Sequence, residues 1–237
     1  MVAALSPALR LSVRLIALLL LALGALSGLS LLLGQTAPAG PQLAFFAYAG
    51  DQGAIYLHDF NRSLSVPLHR TAHQVVTLSW SPDGRKLAFV EFDQGYYFLY
   101  TVSVDGRTTR RLTERTASTQ RIHWSPDGER IAFLSQGAGD ISLYLLAADG
   151  DEPLLALQGW LLGLAWSPDG EQLAVGKMTG SEEAVPGIYV LPSDCSADAQ
   201  PCLPAPLTDH QSSARMPSWS PDGTRIAFLS DEAGSWQ

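Results

Sequence analysis

WSPDGRKLAFV at residues 80–90 returns as WSPDGERIAFL at 124–134, WSPDGEQLAVG at 166–176 and WSPDGTRIAFL at 219–229. Segments this alike do not arise four times by chance, so the chain is an array. The four tryptophans are spaced 44, 42 and 53 residues apart, and about 40–50 residues is the period of a four-stranded propeller blade. In Ser81-Pro82-Asp83-Gly84 the serine opens a turn, proline presets φ at the second position, and glycine takes a position open to φ > 0. VVTLSW, RIHW, LGLAW and MPSW precede the four turns, and KLAFV, RIAFL, QLAVG and RIAFL follow them. These short β-rich runs supply strands one and two of each blade.

Outward from the turns, YYFLYTVSVDG from Tyr96, ISLYLLAADG from Ile141 and GIYVLPSD from Gly187 read as strand three. Leu68, Leu112, Leu154 and Leu207 each lie twelve residues before the next repeat tryptophan, and segments such as RRLT and APLT end their blades as strand four. Upstream, Leu43–Phe46 reads as strand two and Ile55–Asp59 as strand three, with no WSPDG segment before them. An opening blade without its first strand awaits one from the C-terminus, which would remove an exposed sheet edge. After Trp219 the sequence supplies strands one and two and then stops. The expected fold class is therefore all-β: a β-propeller of four-stranded antiparallel blades, with about 4–5 blades belonging to a ring of six or more. The blades are a partial one at 42–69, others at about 72–113, 116–157 and 160–208, and a partial one at 213–237.

Residues 1–39 form a separate segment. Leu15–Gly34 is uncharged and long enough to cross a ~30 Å hydrocarbon core as one apolar helix. That reads as a signal anchor contacting the membrane through residues 15–34, while Ala37-Pro38-Ala39 offers the cleavage pattern of a signal peptide. Arg10 and Arg14 are the only charges through Ala39, which puts the N-terminus in the cytoplasm and the remainder outside, periplasmic or extracellular. Cleavage would make it a secreted protein. Cys195 and Cys202, the only cysteines, share the polar insertion PSDCSADAQPCLP. A disulfide there suits an exported chain; two free thiols are the other reading, and a metal site would need more ligands.

Beyond the leader 13 basic residues face 23 acidic ones, a balance that repels phosphate backbones and excludes nucleic acid as a partner. Asp51, Asp93, Asp140, Glu182-Glu183 and Asp231-Glu232 fall between strands two and three, a set of acidic loops on one face that either attracts a cationic peptide or is ordinary solvated surface. The five histidines lack H-E-x-x-H or H-x-x-E-H spacing. Asp83, Asp127, Asp169 and Asp222 sit with Gly84, Gly128, Gly170 and Gly223 inside the turns, where Asp bonds local backbone rather than metal. Trp80, Trp124, Trp166 and Trp219, at one fixed blade position, read as packing between sheets rather than as a stacking platform. No cofactor, metal or catalytic residue is expected.

At these residues the chain resembles the TolB-like β-propeller repeats, a WD40-like family whose pattern is WSPDGxxIAF, an IYVxDxDG-like strand and a strand ending in LT. The resemblance covers Pro41 to Gln237. It implies the fold but not the function, because such repeats occur in periplasmic TolB, in the propellers of prolyl-oligopeptidase-type peptidases and in membrane-linked sensors. TolB carries an α/β domain ahead of its propeller, and few residues separate the leader from Leu43 here. The peptidase nucleophile motif G-x-S-x-G is absent from the sequence. The expected function is a non-enzymatic, extracytoplasmic binding or scaffold module for a protein or peptide. The alternative is the propeller portion of a serine peptidase whose catalytic domain lies outside this chain.

Overall fold

Strand-forming runs separated by Asp-Gly turns leave little room for helix, and all regular structure described in the computed structural model is β. It describes residues 42–49, 52–136, 139–150, 152–178, 185–194, 203–209 and 212–232. The leader and both cysteines lie outside these. No helix among the described residues is long and apolar enough to cross a membrane.

β1 (Gln42–Ala49), β2 (Gln52–Asp59) and β3 (Leu64–Thr71) form one antiparallel sheet. β4 (Gln74–Trp80), β5 (Lys86–Asp93), β6 (Tyr96–Ser103) and β7 (Thr109–Arg111) form a second. β8 (Thr119–Trp124), β9 (Arg130–Gln136), β10 (Ile141–Ala147) and β11 (Leu154–Leu157) make a third meander. A fourth is made by β12 (Trp160–Trp166), β13 (Gln172–Met178), β14 (Gly187–Pro192) and the two-residue β15 (Ala205–Pro206). One parallel pairing, Ile141 with Trp160, joins these last two. β16 (Ala214–Trp219) and β17 (Ile226–Ser230) pair antiparallel.

Strands covered on both faces lose the alternation of a half-exposed strand. Leu87 to Val90 are wholly buried, as are Leu173 to Val175, and Ile131 to Leu134 are nearly so. Three clusters fill the spaces between successive sheets. One unites Leu57 and Leu68 with Leu87 and Phe89, the next Val90 and Leu112 with Trp124 and Phe133, the third Leu134 and Leu145 with Leu164 and Leu173. Directly opposed across strands two and three, Phe45–Tyr56, Phe89–Tyr100 and Phe133–Tyr144 stack at 5.2–5.4 Å with their planes within 16°. Such a pair adds roughly 0.5–1.5 kcal/mol to its area burial.

Each Ser-Pro-Asp-Gly turn carries the same bonds. The hydroxyls of Ser81, Ser125, Ser167 and Ser220 donate to Oδ1 of the aspartate two residues on. That oxygen also accepts a backbone N–H, from Arg85, Glu129, Glu171 or Thr224, at 2.9–3.0 Å. The N–H of the residue that follows returns to the serine hydroxyl at 2.9–3.0 Å. The glycines have φ between 68° and 75°, left-handed backbone that glycine adopts without a Cβ penalty. Ser103-Val104-Asp105-Gly106 makes the same turn without proline: Ser103 Oγ donates to Asp105 Oδ1 at 2.5 Å and Thr108 N–H to Ser103 Oγ at 3.1 Å. Its missing proline hid the kinship.

The Leu-Thr ends of strand four have a local cause. Thr113 Oγ1 accepts the Leu99 N–H at 3.0 Å and Thr208 Oγ1 the Ile188 N–H at 3.1 Å, extending the ladder by a side chain. The leucines at this register differ in fate, since Leu68 and Leu112 are buried whereas Leu207 is 51% exposed.

Between sheets the ties also repeat. Trp124 Nε1–H donates to Ser79 O and Trp166 Nε1–H to His123 O, both at 3.2 Å. Each tryptophan thus bonds the carbonyl just before the previous repeat's tryptophan. Lys86 Nζ reaches Asp149 Oδ1 at 3.2 Å. At the equivalent position Arg130 donates to the carbonyls of Ser193 and Gly170 and lies 5.3 Å over the Trp166 ring.

Candidate functional site

Strand one in every repeat contains one residue more than its partner can match. Val75 pairs with Glu91 but Thr77 with Val90; Thr119 with Ser135 but Arg121 with Leu134. The same shift falls between Leu161 and Leu164 of β12 and between Arg215 and Ser218 of β16. A β-bulge bends its strand and re-aims a side chain. Four bulges stand at one end of the first strands, opposite the Ser-Pro-Asp-Gly turns.

Close approach follows. Gly163, at φ 142°, has the Met216 backbone so near that a Cβ there would lie 3.2 Å from Met216 Cα. Met216 itself holds φ 55°, a left-handed conformation that costs a non-glycine residue roughly 1–2 kcal/mol. β8, β12 and β16 converge on a cleft of about 220 Å³. Its polar lining is Ser118, Arg121, Gln136 and Arg215. Leu134, Ile141 and Leu161 supply an apolar floor.

A second polar group ties β3 to β5. Glu91, 3% exposed, accepts a hydrogen bond from His69 Nε2 at 3.1 Å. Burial acts to raise the Glu91 pKa, but the hydrogen bonds from His69 and Thr71 outweigh it and hold the carboxyl below its usual range. His73 Nδ1 lies 3.3 Å from Asp93 Oδ1. His123, beside the first-strand bulge, is pushed below the usual imidazole value by burial and then by the Arg121 charge. Among the described residues no three His, Cys, Asp or Glu side chains are grouped to hold a metal ion.

The structure brings the expected site residues together only as an architecture. Trp80, Trp124 and Trp166 contact the inter-sheet clusters, and Asp83, Asp127, Asp169 and Asp222 stay with their glycines in turns remote from the cleft. Asp93 ends its strand two and Asp140, Asp231 and Glu232 follow theirs, so all four belong to the cleft's end of the blades. Asp51, Glu182 and Glu183 lie outside the described residues, as do Cys195 and Cys202 and with them the expected disulfide. Sequence reasoning passed over Arg121 and Arg215. The available signal was that they are the basic residues of the two strand-one runs RIHW and RMPSW.

Residues 27–159, more than half of the chain, match the TolB beta propeller domain family. The chain belongs to that family. No curated protein sequence matches this TolB-type propeller. Its fold is shared with TolB from Acinetobacter baumannii at 20% identity and a TM-score of 0.56, over 82% of this chain and 47% of that one. A protein assigned as TolB from Agrobacterium tumefaciens aligns at 25% identity and a TM-score of 0.56, over 80% of this chain and 65% of that one. A prolyl endopeptidase aligns at 15% identity and a TM-score of 0.58, over 81% of this chain and 31% of that one. The TolB-type propeller thus spans about half to two thirds of the TolB chains.

Proposed function

We propose that this propeller is a non-enzymatic binding module that docks a protein or peptide outside the cytoplasmic membrane, with residues 15–34 as its anchor or leader. The observation carrying this reading is the cleft where the bulged first strands converge. It combines an apolar floor with a few polar groups, the composition of a recognition site. Blade bounds of 42–69, 72–113, 116–157, 160–208 and 213–237 within a ring of six or more account for the solvent-facing apolar residues of β17. A photo-cross-linker at Leu162, in the cleft, and another at Arg85, in a Ser-Pro-Asp-Gly turn, test the reading in the intact envelope. A partner captured from Leu162 and not from Arg85 is expected. Equal capture at both sites, or none, would sink it.

The alternative, a propeller serving a serine peptidase domain, is favoured by the likeness to a prolyl endopeptidase. A fluorophosphonate probe applied to the full-length protein separates the two, since labelling supports the peptidase and its absence, with cross-linking from Leu162, the binding module.

A further inference from the structure

We propose that the cleft is a receptor for a peptide carboxylate, held by Arg121 and Arg215; this rests on the peptide-docking reading above. Two arginines line a space of about 220 Å³ together with Ser118 and Gln136, and no acidic residue is in its lining among the described residues. That is unusual company in a chain of formal net charge −8. Guanidinium offers a planar fork of donors that matches a carboxylate bidentately, and the apolar floor strengthens such a bond by keeping water away. Arg215 is half-buried, whereas Arg121 is exposed and accessible to an arriving ligand.

The bulges put these two side chains there. Arg121 flanks the bulge of β8 and Arg215 that of β16, while Gly163 of the intervening β12 lets the Met216 backbone, next to Arg215, approach closely. Space and charge define the ligand. The volume takes one apolar side chain and its carboxylate rather than a folded surface. Asp93, Asp140, Asp231 and Glu232 at the same end disfavour polyanions. The class is therefore a single carboxylate on an otherwise neutral or cationic peptide, from either its C-terminus or a Glu or Asp side chain.

Calorimetric titration of the full chain with acetyl-Leu-Leu, its C-terminal amide and acetyl-Glu-Leu-amide tests this. The free acid binds at least about tenfold more tightly than the amide, as expected when a charge-assisted pair is lost. R121Q removes about tenfold of that affinity, R121K less, and salt weakens binding of the acid alone. Tight binding by acetyl-Glu-Leu-amide assigns the side chain as source, and its failure beside a binding free acid assigns the C-terminus; both support the receptor. Equal affinity for all three peptides, or an unaffected R121Q, overturns the receptor and leaves peptide docking standing. No saturable binding of any peptide overturns it as well, and the Leu162 cross-link then decides peptide docking separately. R215Q extends the result if its thermal melt matches the parent; if it does not fold, exposed Arg121 decides alone.

Discussion

Arg130-Ile131-Ala132-Phe133-Leu134 and Arg225-Ile226-Ala227-Phe228-Leu229 are the same five residues in the same position after the same turn. In the first, Ile131 and Ala132 are wholly buried and Phe133 is 1% exposed; in the second, Phe228 is 37% and Leu229 38% exposed. β9 lies between β8 and β10 and stacks Phe133 on Tyr144, whereas β17 pairs with β16 alone among the described residues. Burial in this fold belongs to the neighbouring sheet and not to the segment. One pentapeptide is core in one blade and surface in another.

Truncating the aromatic ring breaks the comparison most sharply. Phe133→Ala should cost roughly 3–5 kcal/mol, the range for emptying a packed aromatic site, and Phe228→Ala less than about 1 kcal/mol. Urea unfolding of both variants measures the gap, and equal costs would mean that β17 is covered in solution. The arginines give the next largest contrast. Arg130→Ala loses two carbonyl contacts and the Trp166 face, about 1–3 kcal/mol, while exposed Arg225→Ala stays within about 0.5 kcal/mol; thermal melts resolve the difference.

The turns ahead of the two pentapeptides sharpen the comparison from the other side, because there the regions agree. At Asp222 the Ser220 hydroxyl and the Thr224 N–H and hydroxyl pull the carboxyl from 3.8 down to about 2. At Asp127 burial opposes ionisation, yet the Ser125 and Glu129 bonds prevail and the carboxyl again lies low. A depressed folded-state value gives stability that is complete above the unfolded value and is lost as pH falls through the folded one. Stability should therefore decline between about pH 4 and pH 2. Ser125→Ala and Ser220→Ala should each raise the titration of their own aspartate, seen by carboxyl NMR. An Asp222 that titrates near 3.8 in the parent would refute the turn bonds.

The smallest effect expected is at Met216. Met216→Gly relieves left-handed strain of roughly 1–2 kcal/mol but adds chain entropy of about 0.5–1 kcal/mol. A gain of up to about 1 kcal/mol follows, read as a rise in melting temperature. A fall would mean that the Met216 side chain packs more tightly than its 45% exposure suggests.

Sequence legibility tracks the range of the interaction. Ser81, Asp83 and Gly84 bond within five residues, so WSPDG displayed its turn directly, and β6, β10 and β14 start at Tyr96, Ile141 and Gly187, where strand three was placed. The bulges did not show, because an extra residue in strand one is visible only against the register of strand two. Arg121 and Arg215 lie 94 positions apart in the chain, and His69 meets Glu91 across a sheet boundary; neither pairing leaves a local trace. The Asp105-Gly106 turn was legible at the end of strand three, but its likeness to the Ser-Pro-Asp-Gly turns was not, since the serine, aspartate and glycine carry the bonds without proline.

The Trp-to-carbonyl bonds give the array a direction. Trp124 reaches back to Ser79 and Trp166 to His123, so these two joints each have a head and a tail, like the linkages of a polar filament, whereas the buried Trp219 Nε1 makes no such bond among the described residues. A blade copied in the middle of such a filament brings its own donor and its own acceptor, and both new joints are satisfied without altering any other residue. Lengthening the array by duplication is therefore an easy step for this chain, whereas reversing or shuffling half a blade breaks the polarity at two places at once.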